Sequence, residues 1–333
     1  MPSPFVMSGS MDAETILKSF AAGGIAGMTS KTSIAPLDRM KILLQAHSDH
    51  YKSCGVISGM VRVVKNEGFL GLYKGNGAMM IRVFPYAAAQ FVSFDFYKKS
   101  LSPYFHKDSH LFKLFAGSAA GLNAVILTYP LDLVRARLAF VVKPKYNMVL
   151  PAGAGGAAAG AFVPTGVAST LMHVARTEGG MSGLYRGLTP TICHIIPYAG
   201  LNFYCFEKVK NILLTRYPSW FGELKDDQII LTVPGKLMSG GIAGSVAQTV
   251  AYPMDVCRRR MQLSFMSEET KKYSKGVVQT LVMVYKEHGI VRGLFRGMTA
   301  NYIRTAPMIS INFAVYELMK QTLGLKTGID IKT

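Results

Sequence analysis

Charge is scarce in this chain, and the usual enzymatic constellations are missing. Only 17% of its 333 residues are Asp, Glu, Lys or Arg, half are hydrophobic, and the mean hydropathy is +0.24. That balance leans toward a membrane rather than a solvated globule. The four cysteines (Cys54, Cys193, Cys205 and Cys257) show no Cys-x-x-Cys spacing, so neither a zinc site nor a disulfide framework is indicated. There is no Ser/His/Asp constellation, no metal-ligand cluster and no Gly-rich loop with a P-loop lysine, so an enzyme, a cofactor or a resident metal is not expected. The opening MPSPFVMSGSMDAETILKSF has no basic region followed by an apolar one, so no cleaved secretory signal is expected either. Acid is scarcer than base, 19 residues against 37, giving a net charge of +18. Such a balance suits nucleic acid, or anionic lipids and small anions. The bases lie spread between apolar stretches rather than in one patch, which argues against nucleic acid.

What is present is an internal repeat, the first thing to read in any chain. PLDRMKILLQ at Pro36–Gln45 returns as PLDLVRARLA at Pro130–Ala139 and as PMDVCRRRMQ at Pro253–Gln262. Each Pro lacks the N–H that a helix interior uses, so it should kink or break its helix. Asp38 and Lys41 stand three apart and share a helix face, as do Asp132 and Arg135, and Asp255 and Arg258. Upstream, Gly23/Gly27, Gly117/Gly121 and Gly240/Gly244 fall 13 and 9 residues before their prolines, a spacing that predicts close helix packing in lipid. Downstream come GLYKGN, GLYRGL and GLFRGM, preceded by Glu67-Gly68, Glu178-Gly179 and Glu287-His288-Gly289. Each of these opens a long apolar run carrying Pro85, Pro197 or Pro307.

Each repeat therefore holds two long helices, with a short amphipathic one at about 53–66, 165–177 or 274–287 between them. The repeats divide the chain into a tail at 1–14, repeats at 15–104, 105–218 and 233–325, a linker at 219–232 and a tail at 326–333. The second repeat carries a chargeless insertion, 148–164, that reads as a flexible loop. None of the six long helices offers about twenty uninterrupted apolar residues, the strict rule for a span. Intramembrane charges are tolerated where they face a bundle interior and pair. Lys and Arg number 21 within 39–75, 135–187 and 258–297 but 9 within 98–113 and 208–236, so the first group of loops marks the basic side. A soluble helical array would need polar outer faces that these helices lack.

The tripled Pro-x-Asp-x-x-(Lys/Arg), followed by Glu-Gly and aromatic-(Lys/Arg)-Gly, resembles the mitochondrial carrier family over about residues 15–323. The resemblance implies an all-α membrane protein: six transmembrane helices in three tandem pseudo-threefold repeats, short matrix helices, a central site and gates that close alternately. Within the family, PLDRMKILLQAH and GFLGLYKGNGAMMIRVFPY are most similar to the coenzyme A transporters. The expected protein is thus a monomeric carrier of the mitochondrial inner membrane, with a peroxisomal membrane as the less favoured location. Its cargo would be coenzyme A or a related adenosine phosphate. An adenine nucleotide carrier is the near alternative, and a non-transporting receptor or insertion protein the more distant one. Degraded gates would favour the last, and here six acid–base pairs are complete.

Those pairs define the expected sites. On the basic, matrix side Asp38 should face Arg135, Asp132 should face Arg258, and Asp255 should face Lys41. Gln45 and Gln262 fall one turn beyond and can brace the ring, whereas Ala139 takes the matching place in the second repeat. On the cytoplasmic side Asp95/Lys98, Glu207/Lys210 and Glu317/Lys320 repeat the arrangement. Tyr316 can add a hydroxyl there, but Phe94 and Phe206 cannot. The substrate should sit between the rings. The residues three before each even-helix proline are Arg82, His194 and Arg304, with Arg82 about nine residues, roughly 14 Å, into its helix. Two mid-membrane arginines suit phosphate oxygens. Lys31 breaks the symmetry, standing where the other repeats have Val125 and Gln248, so it points to contact with an asymmetric cargo. His194 precedes Ile195 where nucleotide-binding relatives resemble a small residue followed by an aliphatic one, so a base would meet imidazole here. Helix starts at Gly75, Gly187 and Gly297 are candidate cardiolipin phosphate sites.

Overall fold

The computed structural model describes residues 13–46, 51, 54–101, 110–141, 166–225, 228–266 and 268–325. The insertion at 148–164 and both tails beyond these limits lie outside them. Six long helices dominate: α1 (Ala13–Gln45), α3 (Asn76–Leu101), α4 (His110–Phe140), α7 (Leu188–Arg216), α9 (Val233–Gln262) and α11 (Met298–Thr322). Short helices α2 (Val56–Glu67), α5 (Val167–Thr177) and α10 (Val277–His288) link the long pair of each repeat. Single turns α6 (Met181–Leu184) and α8 (Pro218–Phe221) complete the set.

The prolines do not break their helices. Pro36, Pro130 and Pro253 lie inside α1, α4 and α9, and Pro85, Pro197 and Pro307 inside α3, α7 and α11. A proline removes one ladder bond, but packing on both sides holds the rest. Hydroxyls also bond back to the ladder within a turn of several prolines: Ser33 to the Thr29 carbonyl, Thr128 to Ala124 and Thr305 to Asn301, a bond that bends a helix without ending it. The short helices are amphipathic as expected. α2 buries Val63 among Met40, Leu43, Leu44 and Leu72, and α10 buries Val284 with Tyr252 and Val256.

Packing is cyclic. The second long helix of each repeat lies against the first long helix of the next, α3 on α4, α7 on α9 and α11 on α1. Small side chains line these seams: Ala22, Ala26, Ala116, Ala120, Ala243 and Ala247 are essentially inaccessible. The glycine pairs play a smaller part than their spacing predicts. A methyl on Gly23 would meet Tyr316 at 4.0 Å and one on Gly27 would meet Val83 at 3.6 Å, whereas Gly117, Gly121 and Gly240 face open space. Neighbouring alanines, already small enough, make the close contacts instead. Beside Gly23, it is Gly24 that is tight, since an added carbon would sit 2.4 Å from the Phe84 ring.

Between the second and third repeats the chain forms a structure rather than a bare linker. Turn α8 leads into an antiparallel hairpin of β1 (Gly222–Lys225) and β2 (Gln228–Leu231). The sequence reading missed it because ELK and QIIL are too short to show a period of two.

No helix of the described residues is long and apolar enough by itself to cross a membrane. The bundle nevertheless has apolar side chains outside and charges inside. Phe91, Val92, Leu127, Ile196, Leu237, Val250 and Phe313 are exposed, while Asp38, Lys41, Asp132 and Asp255 are buried. Water would invert that arrangement, and lipid favours it.

Candidate functional site

The Pro-x-Asp phrases bring their charged residues together at one end of the bundle, and the ring pairs as its threefold register predicts. Arg135 Nη2 donates to Asp38 Oδ2, Arg258 Nη2 to Asp132 Oδ2, and Lys41 Nζ to Asp255 Oδ2 at 2.6 Å. An Asp on one long helix is thereby tied to a base on the next, across some 97 to 214 positions of sequence. Gln45 Nε2 donates to Asp255 Oδ2 at 3.2 Å and to the Tyr252 hydroxyl at 3.1 Å. Gln262 Nε2 does the same with Asp132, 3.2 Å, and Tyr129, 3.1 Å. Ala139, fully buried, offers no such bond. Two braces serve three pairs.

Arg82 and Arg304 join this ring from above. Arg304 Nη1 donates to Asp38 Oδ1 at 2.5 Å, and Arg82 Nη1 to Asp132 Oδ1 at 3.2 Å. Asp38 and Asp132 thus each hold two arginines. The matching place beside Asp255 belongs to His194, whose buried Nε2 has no hydrogen-bond partner among the described residues. The imidazole instead stacks nearly parallel on Tyr198, centroids 5.7 Å apart. Asn301, which the sequence reading passed over, accepts from Lys41 Nζ at 2.9 Å and from Arg304 Nε at 3.0 Å.

Above and within the ring lies a cavity of about 250 Å³. Lys31, Arg82, His194, Ile195 and Arg304 all line it, together with Arg259 and the ring residues. Seven cationic side chains face it against three aspartates. Lys31 Nζ donates to the Met308 sulfur at 3.1 Å and forms no ion pair among the described residues. A cavity so walled attracts a multiply charged anion.

The opposite end is arranged differently. Lys210 lies 3.5 Å from Glu207 and Lys320 3.7 Å from Glu317, both pairs within one helix, and Asp95 and Lys98 are exposed. The described residues contain no interhelix ion pair at that end. Tyr316 presents its ring rather than its hydroxyl, with Lys320 Nζ 4.8 Å from the ring centre. The structure is closed at the basic end and unlatched at the other.

Gly75, Gly187 and Gly297 sit with φ of +85°, +84° and +82°, and Gly187 and Gly297 cap α7 and α11. An added Cβ would come within 2.9 Å of the Arg135 carbonyl at Gly75 and 2.9 Å of the Tyr129 hydroxyl at Gly187. At Gly297 it would meet the Tyr252 hydroxyl at 3.2 Å. Gly75 lets its helix start lean on α4 of the next repeat, and Gly187 and Gly297 let theirs fit between the first long helix of their own repeat and that of the next.

A second set of pairs escaped the sequence reading. Arg39, though almost wholly buried, donates Nη2 to both Glu67 oxygens at 2.9 and 3.0 Å. It also reaches the carbonyls of Gly71, of Ala139 at 3.0 Å and of Val141 at 2.9 Å. Arg137 grips Glu178 likewise and reaches the Gln262 carbonyl at 3.3 Å. In the third repeat Tyr273 stands between, accepting from Arg260 at 2.6 Å and donating to Glu287 at 2.8 Å. Arg137 and Arg260 share one offset from their aspartates, a signal the sequence did carry. The first repeat hid it, since Leu43 holds that place and Arg39, one turn earlier, does the pairing.

The Mitochondrial carrier protein family profile matches residues 12–105, 106–217 and 231–327. Human solute carrier family 25 member 16 is 47% identical over 312 residues, covering 93% of this chain and 89% of that protein. The mitochondrial coenzyme A transporter SLC25A42 of Xenopus tropicalis is 35% identical over 322 residues, 96% of this chain and 89% of its own length. The mitochondrial carrier protein LEU5 of Saccharomyces cerevisiae is 36% identical over 332 residues, 93% and 91% of the two chains.

Proposed function

We infer that this chain, which belongs to the mitochondrial carrier family and so is a transporter rather than an enzyme, carries coenzyme A or a related adenosine phosphate by alternating access. The observation that supports this reading most is the cavity with its excess of cations, Lys31 among them without a carboxylate partner. Arg82 and Arg304 are the phosphate-binding pair in this proposal, trading Asp132 and Asp38 for phosphate oxygens as cargo arrives. His194 and Ile195 flank the base. A relative whose name specifies coenzyme A, aligned over most of both chains, supports the same cargo class.

The matrix gate is Asp38, Lys41, Asp132, Arg135, Asp255 and Arg258 with the Gln45 and Gln262 braces. The cytoplasmic gate is Asp95, Lys98, Glu207, Lys210, Glu317 and Lys320 with Tyr316, drawn together only when the matrix ring parts. Gly75, Gly187 and Gly297 open helices toward cardiolipin phosphates of the inner membrane, and the working unit is a monomer. The deciding experiment is uptake of labelled coenzyme A into liposomes holding purified protein, with Arg82→Ala alongside. Saturable uptake, lost in the variant, is expected. Brisk ADP or ATP exchange without coenzyme A uptake would move the cargo to adenine nucleotides. Silence on every phosphorylated solute from folded protein would sink the transport reading.

A further inference from the structure

Each ring aspartate has a place beside it for a second cation, the residue three before an even-helix proline. Arg82 fills that place at Asp132 and Arg304 fills it at Asp38. At Asp255 it holds His194, so this aspartate keeps Lys41 and the neutral Gln45 alone. Of the described residues that line the cavity, His194 is the one of a type that ordinarily titrates near neutral pH.

The imidazole is held by stacking rather than by hydrogen bonds. It lies nearly parallel to the Tyr198 ring of its own helix, centroids 5.7 Å apart, and its buried Nε2 has no hydrogen-bond partner among the described residues. In the neutral tautomer that leaves Nε2 bare, this is the atom a proton joins. The charged groups nearest the ring are Asp255 and Arg258 from α9 and Lys41 from α1, with Asp255 acting most strongly. Asp132 from α4 and Arg304 from α11 share the same cavity. Asp255 favours an imidazolium, and the surrounding cations oppose it.

Cargo changes that balance. Seven cationic side chains against three aspartates leave the empty cavity with a surplus of four positive charges. An eighth cation is disfavoured there until an anion enters. A multiply charged anion cancels the surplus, and Asp255 is then left with an unfilled second place beside a base that can take up charge.

The geometry points to His194 as a proton site coupled to the cargo: an anion entering the cavity brings a proton onto the imidazole, which then serves Asp255 as Arg82 serves Asp132. The proton leaves bulk water and joins Nε2, and no other bond forms or breaks. Cargo and proton occupy one cavity, so the gate that exposes one to the far side exposes the other, and the anion crosses with a proton. The inference rests on the reading of the cavity as an anion site and not on coenzyme A as the cargo.

The test uses the full-length protein in detergent with inorganic pyrophosphate as the probe. Calorimetry in buffers of different ionisation heat counts the protons taken up per anion bound. Pyrophosphate itself titrates, so the quantity read is the difference between native and variant chains. The native chain is expected to take up more protons than His194→Gln, most clearly around the ordinary histidine range at about pH 6.5. Its affinity should also fall more steeply as pH rises, by up to about tenfold per pH unit, the slope of one linked proton. His194→Arg, with a permanent cation in the place, should lose both the extra proton and the extra slope. A structural role alone would alter affinity and leave the proton count unchanged. Equal proton counts in the native, Gln and Arg chains would overturn the inference, and so would equal pH slopes. Should His194→Gln not fold, the Arg variant makes the same comparison. No pyrophosphate binding by the native chain would defeat the anion-site reading and this inference with it, whereas binding without the extra proton defeats the inference alone.

Discussion

Glu67 has no exposed side-chain surface and Arg39 has 1%. Two charges so placed are held by each other and by the carbonyls around them. Lys74 also reaches Glu67, from a less buried position. Removing Arg39 nevertheless leaves the carboxylate with that lysine alone and takes the donor from the Gly71, Ala139 and Val141 carbonyls. Arg39→Ala is therefore expected to destabilise the protein by about 3–5 kcal/mol, read as a lower midpoint of thermal unfolding in detergent. A shift no larger than that of an exposed substitution would contradict the buried pairing. The third repeat treats its glutamate differently. Partial burial pushes the Glu287 carboxyl upward, but hydrogen bonds from Lys272 and Tyr273 outweigh this and hold it below the usual glutamate range. A depressed folded value means the stabilisation is present above the unfolded glutamate pKa, about 4.3, and fades as pH falls through the folded one. Lys272→Ala should move the Glu287 titration upward in a carboxyl-resolved NMR experiment, and an unmoved curve would remove Lys272 from this account.

At the level of elements, the helix starts after Tyr-Lys-Gly, Tyr-Arg-Gly and Phe-Arg-Gly carry two demands at once, a left-handed residue and space for a neighbouring helix. Alanine satisfies neither at Gly75 or Gly187, where its Cβ would press 2.9 Å from the Arg135 carbonyl or the Tyr129 hydroxyl. Gly297 is less confined, at 3.2 Å from the Tyr252 hydroxyl. Backbone strain alone costs on the order of 1–3 kcal/mol, so all three Gly→Ala variants should lose stability. Gly75→Ala and Gly187→Ala should lose more than Gly297→Ala, and equal losses in a thermal-shift series would show that strain rather than contact governs. These glycines were plain in the sequence from their motif. Their steric reason was not, because the atoms they avoid belong to other helices, between 45 and 60 residues away along the chain.

For the molecule as a whole, the ring is unequal in a way that ranks its members. Asp132 holds Arg82, Arg258 and Gln262, and Asp38 holds Arg135 and Arg304. Asp255 holds one cation, Lys41, with Gln45, since His194 replaces the second arginine. Asp132→Asn and Asp38→Asn each strand two arginines, and Asp255→Asn strands one lysine. Reconstituted uptake and unfolding midpoint should accordingly fall furthest for the first two variants. A milder result for Asp132→Asn than for Asp255→Asn would break this ranking.

The repeat, its offsets and its charge register determined much on their own: six long helices, three short ones, the partner of every ring aspartate and the missing brace at Ala139. They could do so because threefold symmetry turns a local spacing into a long-range contact. Tertiary structure decided what symmetry leaves open. It set Arg82 and Arg304 onto Asp132 and Asp38, gave Arg39 the pairing that Leu43, at the matching offset, cannot make, paired 222–225 with 228–231, and kept the far-end pairs within their own helices. Each of these depends on how far a side chain reaches across a seam. A period along one chain does not encode that distance.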